Sequence, residues 1–468
     1  MTDAKQLISQ VFTNHQIKIP PARKEAFEAF LRREENQEII NQIISHQNTL
    51  MARWKLEDRI AAITEQPVRI LNATVGKPYE TLLSFEKLDW KDISDYEFGG
   101  LEELGLHFDP ATQLVMGTPT ASGDHKITFR FRLEEEEKGA AFHEKSIPFI
   151  VNPDPKSLWK SLESNREDPY WKEDNVTVLA PLADRHILVS SKRGRSHANI
   201  GSFREDDFSF ADLANGWSIV VVADGAGSSK LSRKGSAMAC KGIVDYFTAE
   251  DAAQGMLEFD SILQQYQSGA DPETLKSLNR FVYNNLGKAA FSIHKSLADF
   301  AKENSLALKD LSSTLIFTLL KKYDAGYAFL SFGVGDCPTA ILNKDLSEVH
   351  LMNWLDVGEF SGGTRFITMP EIFQNEKFAT RFGFKLVEDY AYLVMMSDGI
   401  YDPKFSVESN LADIKKWQAF FADLGGQNED GIKVDLRADN TELEQQFSQW
   451  MDFWSPGNHD DRTLAIVF

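Results

Sequence analysis

The chain has 468 residues, 42% of them hydrophobic, and its 70 acidic and 50 basic side chains give a net charge of −20. This length predicts two or three domains, and the apolar content is ample for packed cores. The negative charge argues against a nucleic-acid-binding surface, which would need a basic stripe. The two cysteines, Cys240 and Cys337, lie far apart in sequence, so neither a disulfide framework nor a structural zinc site is expected.

The N-terminal sequence MTDAKQLISQ lacks the basic region and the apolar stretch of a signal peptide. No apolar run approaches the roughly 20 residues that a membrane-spanning helix needs. We therefore predict a protein of the cytoplasm that does not bind a membrane.

Residues 1–64 have the apolar spacing of helices. Hydrophobic residues recur at i, i+1, i+4 and i+5 from Leu7 to Phe12, and the spacing resumes after a break at Pro20 and Pro21. We predict a helical segment that packs on a neighbouring domain. An arm that binds a partner is the alternative interpretation.

Residues 65–152 change to short alternating runs that are separated by turn residues. The sequence GLHFDPATQLVMGTPTASGDHKITFRFR, which begins at Gly105, predicts three strands joined by two turns. It resembles bacterial immunoglobulin-like modules, which carry the pattern L-x-F-D-P-A-T followed by G-T-P-T. The resemblance implies an all-β sandwich that serves as a spacer or docking module, with direct substrate recognition as the alternative.

Residues 153–184 are expected to be a linker. The stretch NPDPKSLWKSLESNREDPYWKEDNVTV is polar and contains three prolines and two tryptophans. This composition favours an ordered linker that lies against a domain over a free tether.

Residues 185–468 alternate between strand and helix patterns. Amphipathic helices are predicted at residues 232–247 and 281–300. Strands are predicted at residues 219–223, 314–319, 327–334, 339–342, 392–396 and 463–467. The link at residues 335–338 is too short for a helical crossover, so its strands should pair antiparallel. The predicted fold class is α+β.

Acidic residues adjoin these strands in a repeated arrangement. They are Glu205 and Asp206 in REDDF, Asp224 in VVADGAG, Asp336 in FGVGDC, Asp398 in MMSDG, and Asp460 and Asp461 in GNHDDR. Any one Asp-Gly pair is usually a turn. Carboxylates that meet at one end of a sheet would repel each other, and a cation relieves that repulsion. Oxygen ligands without a His or Cys cluster favour Mg²⁺ or Mn²⁺ over zinc. Gly225 has no Cβ, so its backbone carbonyl can approach a cation.

The order of these motifs resembles the metal-dependent type 2C serine/threonine phosphatases. An E-D pair is followed by V-A-D-G-x-G, S-T, G-V-G-D, S-D-G and a late D-D before the last strand. The bacterial branch is the closer likeness, because Ser196-His197, Gly201, Asp206 and residues 222–228 match its pattern. The resemblance spans about residues 185–468.

The resemblance implies a β-sandwich of two antiparallel sheets, flanked by helices, with two Mn²⁺ or Mg²⁺ ions at one end and a weaker third ion. It implies catalytic roles for Asp206, Asp224 and Asp398. The implied metal-binding residues are Glu205, Asp206, Asp224, Gly225, Asp336, Asp398 and Asp460. For the last of these, Asp461 stays an alternative, although the register favours Asp460.

Two departures from the family pattern stand out. Gly201 occupies the position where many relatives have a phosphate-binding arginine, and Ala226 occupies the position of a histidine found in some relatives. We predict that Arg195 and His197 bind the phosphate in place of that arginine, ahead of Arg204. A guanidinium suits this task because it donates two parallel hydrogen bonds.

The predicted function is hydrolysis of phosphoserine and phosphothreonine in proteins by a water that bridges the two metal ions. The predicted partners are a phosphoprotein substrate and a serine/threonine kinase or its targets, with no nucleic acid; the oligomeric state is left open. The alternative is a catalytically weak pseudophosphatase that binds a phosphoprotein or another partner as a scaffold. The missing arginine favours this alternative, and the complete set of Asp224, Asp398 and Asp460 opposes it.

Overall fold

The computed structural model describes residues 2–268, 272–356, 363–374 and 376–468 of the chain. The chain divides into two compact units, residues 1–158 and residues 159–468. Within the described ranges, every helix is either too short or too polar to traverse a bilayer.

Three helices begin the first unit: α1 Thr2–Asn14, α2 Lys24–Leu31 and α3 Glu34–Glu65. Ile8, Leu31 and Ile40, one from each helix, are buried together. Phe12 and Phe27 pack beside them with their ring centroids 5.4 Å apart. The helical pattern of the N-terminal sequence is therefore present in the structure.

Seven strands follow: β1 Ala73–Thr74, β2 Tyr79–Leu82, β3 Ile93–Gly99, β4 Leu106–Asp109, β5 Leu114–Gly117, β6 Gly123–Leu133 and β7 His143–Asn152. They form a four-stranded sheet in the order β1-β7-β6-β3 and a three-stranded sheet in the order β2-β5-β4. Alternate residues of β7, including Ile147 and Phe149, are buried. They share one apolar core with Leu106 and Val115 of the other sheet.

The second unit contains eleven strands within the described residues: β8 Asn175–Leu182, β9 Arg185–Lys192, β10 Asp207–Asp212, β11 Trp217–Ala223, β12 Leu315–Tyr323, β13 Gly326–Val334, β14 Thr339–Leu342, β15 Val349–Leu351, β16 Phe382–Val387, β17 Tyr392–Met396 and β18 Arg462–Val467. Its helices there are α4 Arg195–Ile200, α5 Ser232–Thr248, α6 Glu250–Ser268, α7 Pro272–Glu303, α8 Asp398–Phe405, α9 Ile414–Leu424 and α10 Leu443–Trp450. The strands and helices predicted for this region are present, and the second predicted helix begins earlier, at Pro272.

These strands form two antiparallel sheets that pack face to face. The first has the order β10-β11-β12-β13-β16, and the second has the order β15-β14-β17-β18-β9-β8. Apolar side chains of both sheets, such as Val220 and Met395, meet in the core between them. Helices α5, α6 and α7 cover the outside of the first sheet, and α8, α9 and α10 cover the outside of the second. The predicted α+β class and antiparallel sandwich are confirmed. The expectation that the strands on either side of residues 335–338 pair with each other is wrong, because β13 lies in the first sheet and β14 in the second, so this short link crosses between the sheets.

Strand β11 shows why its sequence is continuously apolar. Ile219 and Val221 face the helices, whereas Val220 and Val222 face the opposite sheet. Because both faces are covered, the strand lacks the alternation of polar and apolar residues that a half-exposed strand would show. The strand runs directly into Asp224 and so carries this acid to the end of the sandwich.

The segment expected to be a linker, residues 153–184, contributes to the second unit. Strand β8 pairs with β9 along its whole length, from Asn175 opposite Lys192 to Leu182 opposite Arg185. Its residues are mostly half-buried, which is typical of an edge strand and leaves a weak periodic signal in the sequence. The sandwich therefore begins before residue 185.

A substitution at Gly235 of α5 can test how tightly the helices pack on the sandwich. A Cβ at this position would lie 2.0 Å from the carbonyl oxygen of Leu311. We expect Gly235→Ala to lower the free energy of unfolding by about 1–3 kcal/mol, because the helix must move away. Gly255→Ala in α6 is the control: its Cβ would have Asn285 Oδ1 as nearest neighbour at 3.7 Å. It should be neutral or stabilising by up to about 1 kcal/mol. Urea unfolding followed by tryptophan fluorescence measures both, and equal effects would contradict this packing.

Candidate metal centre

The predicted acids lie together at one end of the sandwich. Strands β10 and β11 are antiparallel with Asp207 opposite Ala223, so Asp206 and Asp224 adjoin. The pairing of β17 with β18 likewise brings Asp398 alongside the segment that precedes β18. The carboxylates that act on one another electrostatically here are Asp206, Asp224, Asp336, Asp398 and Asp460.

The innermost acids are hard to ionise in the absence of a cation. Burial raises the pKa of Asp224 well above its ordinary value, and the charges of Asp398 and Asp206 raise it further. Burial also raises the pKa of Asp398, with added contributions from Asp336 and then Asp460. Buried carboxylates whose pKa is raised by neighbouring acids in this way require a compensating positive charge to be ionised together at neutral pH.

The Glu205-Asp206 pair has the same electrostatic character. Burial is the main reason that the pKa of each rises to about 7. The charge of Asp461 raises both pKa values further. One oxygen of Asp206 is held by the hydroxyl of Thr463, which donates at 2.8 Å.

Three buried carboxylate oxygens accept no hydrogen bond from the described residues. They are Glu205 Oε2, Asp206 Oδ1 and Asp398 Oδ1. A buried acceptor without a donor is costly, so each requires another partner. Hard divalent cations bind carboxylate oxygens in preference to nitrogen or sulfur ligands. The donor set therefore fits Mg²⁺ or Mn²⁺.

Asp336 joins the same cluster and brings a thiol with it. The side chains of Asp224, Asp336 and Cys337 each offer a ligand atom within 4.8 Å of the other two. Burial raises the pKa of Asp336, whose Oδ2 accepts a hydrogen bond from Thr364 at 2.7 Å. Sequence reasoning did not single out Cys337, because a lone cysteine carries no metal-site spacing. Its position directly after Asp336 is the signal that could have found it.

Asp460 and Asp461 have different surroundings. Asp461 is 2% exposed and accepts hydrogen bonds from the backbone N–H of Gly194 at 2.6 Å and from that of Glu205. His197 Nδ1 lies 3.0 Å from the same carboxylate. The oxygens of Asp461 are thus engaged by protein donors. About half of the Asp460 side chain is exposed; its Oδ1 accepts a hydrogen bond from the Asp461 N–H at 2.9 Å, and its carboxylate can offer a ligand atom to a cation.

His197, predicted to bind phosphate, lies beside Asp460 and Asp461. Burial alone would lower its pKa, but the hydrogen bond and charge of Asp461 raise it to about 9. The imidazole is therefore protonated at neutral pH. Its Nε2 lies 4.0 Å from Asp460 Oδ1, so the positive charge faces the acidic cluster.

The guanidinium groups of Arg195 and Arg204 both donate hydrogen bonds to backbone carbonyls. The Arg195 guanidinium donates to the backbone carbonyls of Asp452 at 2.5 Å and Phe453 at 3.0 Å. Arg204 is 3% exposed and donates to the carbonyl of Asp206. Of the two residues predicted to bind phosphate, the structure brings His197 to the acids, whereas the contacts of Arg195 are to these carbonyls.

Two glycines allow the acid-bearing segments to approach each other. A Cβ on Gly225 would lie 2.7 Å from the carbonyl oxygen of Glu205, and one on Gly399 would lie 1.9 Å from the carbonyl oxygen of Asp461. From the sequence, the missing Cβ of Gly225 predicts space for a cation. In the structure, the backbone of the neighbouring acidic pair takes that space.

The raised pKa values predict a pH dependence of stability in the metal-free protein. Glu205 and Asp206 have a pKa of about 7 when folded, against 4.5 and 3.8 ordinarily. Protonation therefore favours the folded state, and the stabilisation present below about pH 4 is lost as the pH rises through 7. We expect the melting temperature in EDTA to fall between pH 5 and pH 8, and saturating Mn²⁺ to flatten this slope. A metal-free melting temperature that rises over this range would contradict the assignment.

A second measurement should distinguish the roles of the adjacent residues Asp460 and Asp461. Asp461→Ala removes a buried charge that holds His197 and two backbone N–H groups, and should cost about 3–5 kcal/mol of unfolding free energy. Asp460→Ala should cost little stability in EDTA but should weaken Mn²⁺ binding, measured by calorimetry. The opposite pattern, a stable Asp461→Ala protein and an unstable Asp460→Ala protein, would reverse the two roles.

Several solved structures are similar to this chain. A bacterial serine phosphatase is 15% identical, with a TM-score of 0.37, and the match covers 60% of this chain and 96% of that one. The serine/threonine phosphatase Stp1 from Staphylococcus aureus is 14% identical, with a TM-score of 0.35 and coverage of 63% and 98%. The serine/threonine phosphatase from S. agalactiae is 14% identical, with a TM-score of 0.37 and coverage of 63% and 99%.

A search of curated proteins returned no match. The family model described as Protein phosphatase 2C matches residues 193–448, which is more than half of the chain. The match includes the segments of Glu205, Asp224, Asp336 and Asp398, and it stops short of Asp460. The resemblance inferred from the order of the acidic motifs is thus confirmed, and the chain belongs to the protein phosphatase 2C family.

Proposed function

We propose that this chain hydrolyses phosphoserine and phosphothreonine in proteins, using two bound Mn²⁺ or Mg²⁺ ions. The observation that carries the proposal is the set of three buried carboxylate oxygens, on Glu205, Asp206 and Asp398, that accept no hydrogen bond from the described residues. Membership of the protein phosphatase 2C family supplies the reaction class. The acidic cluster supplies the ligands that such a reaction needs.

We assign the ligands by motif. Asp224 would bridge the two ions, and the carbonyl oxygen of Gly225 would bind one of them. Asp398 and Asp460 would bind the other. Glu205 and Asp206 would act through water, and Asp336 would help to hold a weaker third ion. The metal-ligating role of Asp460 is favoured because the oxygens of its neighbour, Asp461, are engaged by protein donors.

When bound, the ions supply a water nucleophile of lowered pKa and neutralise charge on the phosphoryl oxygens. The chain itself fixes the acids. Thr314 Oγ1 accepts a hydrogen bond from the Asp224 N–H at 2.8 Å, and the Thr314 N–H donates to the Asp224 carbonyl at 2.8 Å. A nucleophilic cysteine is not required, and burial raises the pKa of the Cys337 thiol well above its ordinary value.

His197 is the phosphate-binding residue that the contacts favour. It is protonated at neutral pH and faces the acids. Gly201, at the position of the usual arginine, has a φ of 71°, which an arginine would adopt only with strain. The backbone at this position therefore opposes the usual residue, and the positive charge comes from a different residue of the same segment.

The competing function is that of a pseudophosphatase, a scaffold that binds a phosphoprotein without turnover. It is favoured by the missing arginine and by the hydrogen bonds of Arg195 to carbonyls. It does not explain why three buried carboxylate oxygens lack donors among the described residues, since a binding scaffold has no need of ions at this position. We therefore place it second.

The first unit suits a role in targeting. Two sheets of four and three strands with a shared core support the immunoglobulin-like assignment of residues 65–152. Such a module, together with the helices of residues 1–64, would dock the phosphatase on a partner. We propose a cytoplasmic serine/threonine kinase or the proteins that it phosphorylates.

The test is hydrolysis of p-nitrophenyl phosphate and of a phosphothreonine peptide in Mn²⁺. We expect turnover of both substrates and its loss in EDTA. Substituting a residue that only supports a metal ligand typically lowers metal affinity or activity about 10–100-fold. Asp398→Asn would alter a ligand itself, so it should reduce kcat/KM at least about 100-fold.

Asp439→Asn is the control, because this acid is exposed and lies outside the cluster. It should keep the activity of the unsubstituted protein. A folded protein that binds Mn²⁺ but turns over neither substrate would establish the scaffold function instead.

A further inference from the structure

The segment before β8 is bound to the back of the acidic site. The Leu162 N–H donates to the carbonyl of Ala198 in α4 at 2.9 Å. Asp168 accepts two hydrogen bonds from Arg233 of α5, at 2.9 and 3.0 Å. We call residues 159–174 the strap. It lies outside the residues that the family model matches, so the family pattern does not account for it.

One side chain of the strap reaches the acidic pair. Lys172 Nζ donates to the carbonyl of Asp206 at 2.7 Å and to the carboxylate of Asp207 at 3.0 Å. The carbonyl of Glu205 lies 3.4 Å from the same nitrogen. The Lys172 side chain is only 15% exposed. A lysine is seldom buried to this extent unless its ammonium group is paired and hydrogen-bonded.

Other side chains also form hydrogen bonds with the backbone of residues 205 and 206. Arg204 Nη1 also donates to the Asp206 carbonyl, at 2.7 Å, and the hydroxyl of Ser236 donates to the Glu205 carbonyl. On the opposite side, Asp461 accepts the Glu205 N–H. The backbone of the acidic pair is therefore fixed from both directions. Lys172 is the one member of this set that the strap contributes.

We propose that Lys172 is a positioning residue for the metal-binding acids, and that the strap is part of the active site rather than a connection to it. The inference rests on the proposed function. Lys172 touches the backbone of Glu205 and Asp206. It leaves Glu205 Oε2 and Asp206 Oδ1, which accept no hydrogen bond from the part of the chain that the structure describes, available to a metal ion or its bound water. Loss of its ammonium group would let this peptide move and would misplace both carboxylates.

The experiment compares two lysines of equal burial in the full-length chain. Lys172→Met should weaken Mn²⁺ binding about 10-fold, the lower end of the effect of a residue that supports a metal ligand. Binding is measured from the loss of the free Mn²⁺ electron paramagnetic resonance signal. Phosphatase activity of this variant should be low at limiting Mn²⁺ and should recover at excess Mn²⁺, because a positioning defect acts on metal affinity before catalysis.

Lys192→Met is the matched control. The Lys192 side chain is also 15% exposed and is paired with Asp452 at 2.5 Å, away from the acidic pair. It should lose stability without losing Mn²⁺ affinity. Where Lys172→Met does not fold, Lys172→Gln provides the same measurement with a smaller disturbance.

The outcomes are separable. Unsubstituted protein that binds no Mn²⁺ would refute the proposed function itself. Unsubstituted protein that binds Mn²⁺, together with a folded Lys172 variant of unchanged affinity, would refute only the role of the strap. Equal loss of Mn²⁺ affinity in the Lys172 and Lys192 variants would also overturn it, because the effect would then be one of general stability.

Discussion

Mutual repulsion among buried carboxylates is the constraint around which the second unit is organised. Asp206 and Asp224 adjoin the first sheet and Asp398 follows a strand of the second, so closing the sandwich necessarily brings their charges together. Burial raises the pKa of each, the charges of Asp206 and Asp398 raise the pKa of Asp224 further, and the charge of Asp206 also raises that of Asp398. Such a cluster is fully ionised at neutral pH only with compensating positive charge. The acids are therefore placed for binding a cation, at a cost to the stability of the metal-free fold.

The hydrogen bonds around Glu205 and Asp206 support placement for cation binding, because they largely involve the backbone of these residues. Lys172 and Arg204 donate to the Asp206 carbonyl, and the Asp461 carboxylate accepts the Glu205 N–H. These contacts fix the backbone, while Glu205 Oε2 and Asp206 Oδ1 accept no hydrogen bond from the described residues. A fold that needed only to bury these acids would direct donors at the carboxylates themselves. Because the two acids are positioned through their backbone, these carboxylate oxygens remain available to a ligand.

The sequence predicted what is periodic and local. The apolar run of β11 and the glycine after Asp398 placed both acids at strand ends, because strand and turn signals reside in adjacent residues. It could not predict contacts between distant segments. Lys172 belongs to a polar stretch that resembles a linker, and only the tertiary fold brings it to residue 206, 34 positions away. The register of the motif favoured Asp460 as the ligand, but the different surroundings of Asp460 and Asp461 could not be predicted, since they depend on which carboxylate meets the backbone of residues 194 and 205.

The charge balance of the proposed site makes phosphate recognition depend on the ions. His197 and Asp461 form a close pair and largely cancel each other. The six other carboxylates are those of Glu205, Asp206, Asp224, Asp336, Asp398 and Asp460. Two divalent ions would neutralise four of these charges when all six acids are ionised, and a third ion would neutralise the rest. With glycine in place of the usual arginine, those of the acids that are ionised would repel a phosphoryl dianion until the ions are bound. In this chain, metal occupancy would therefore control substrate binding as well as the chemical step.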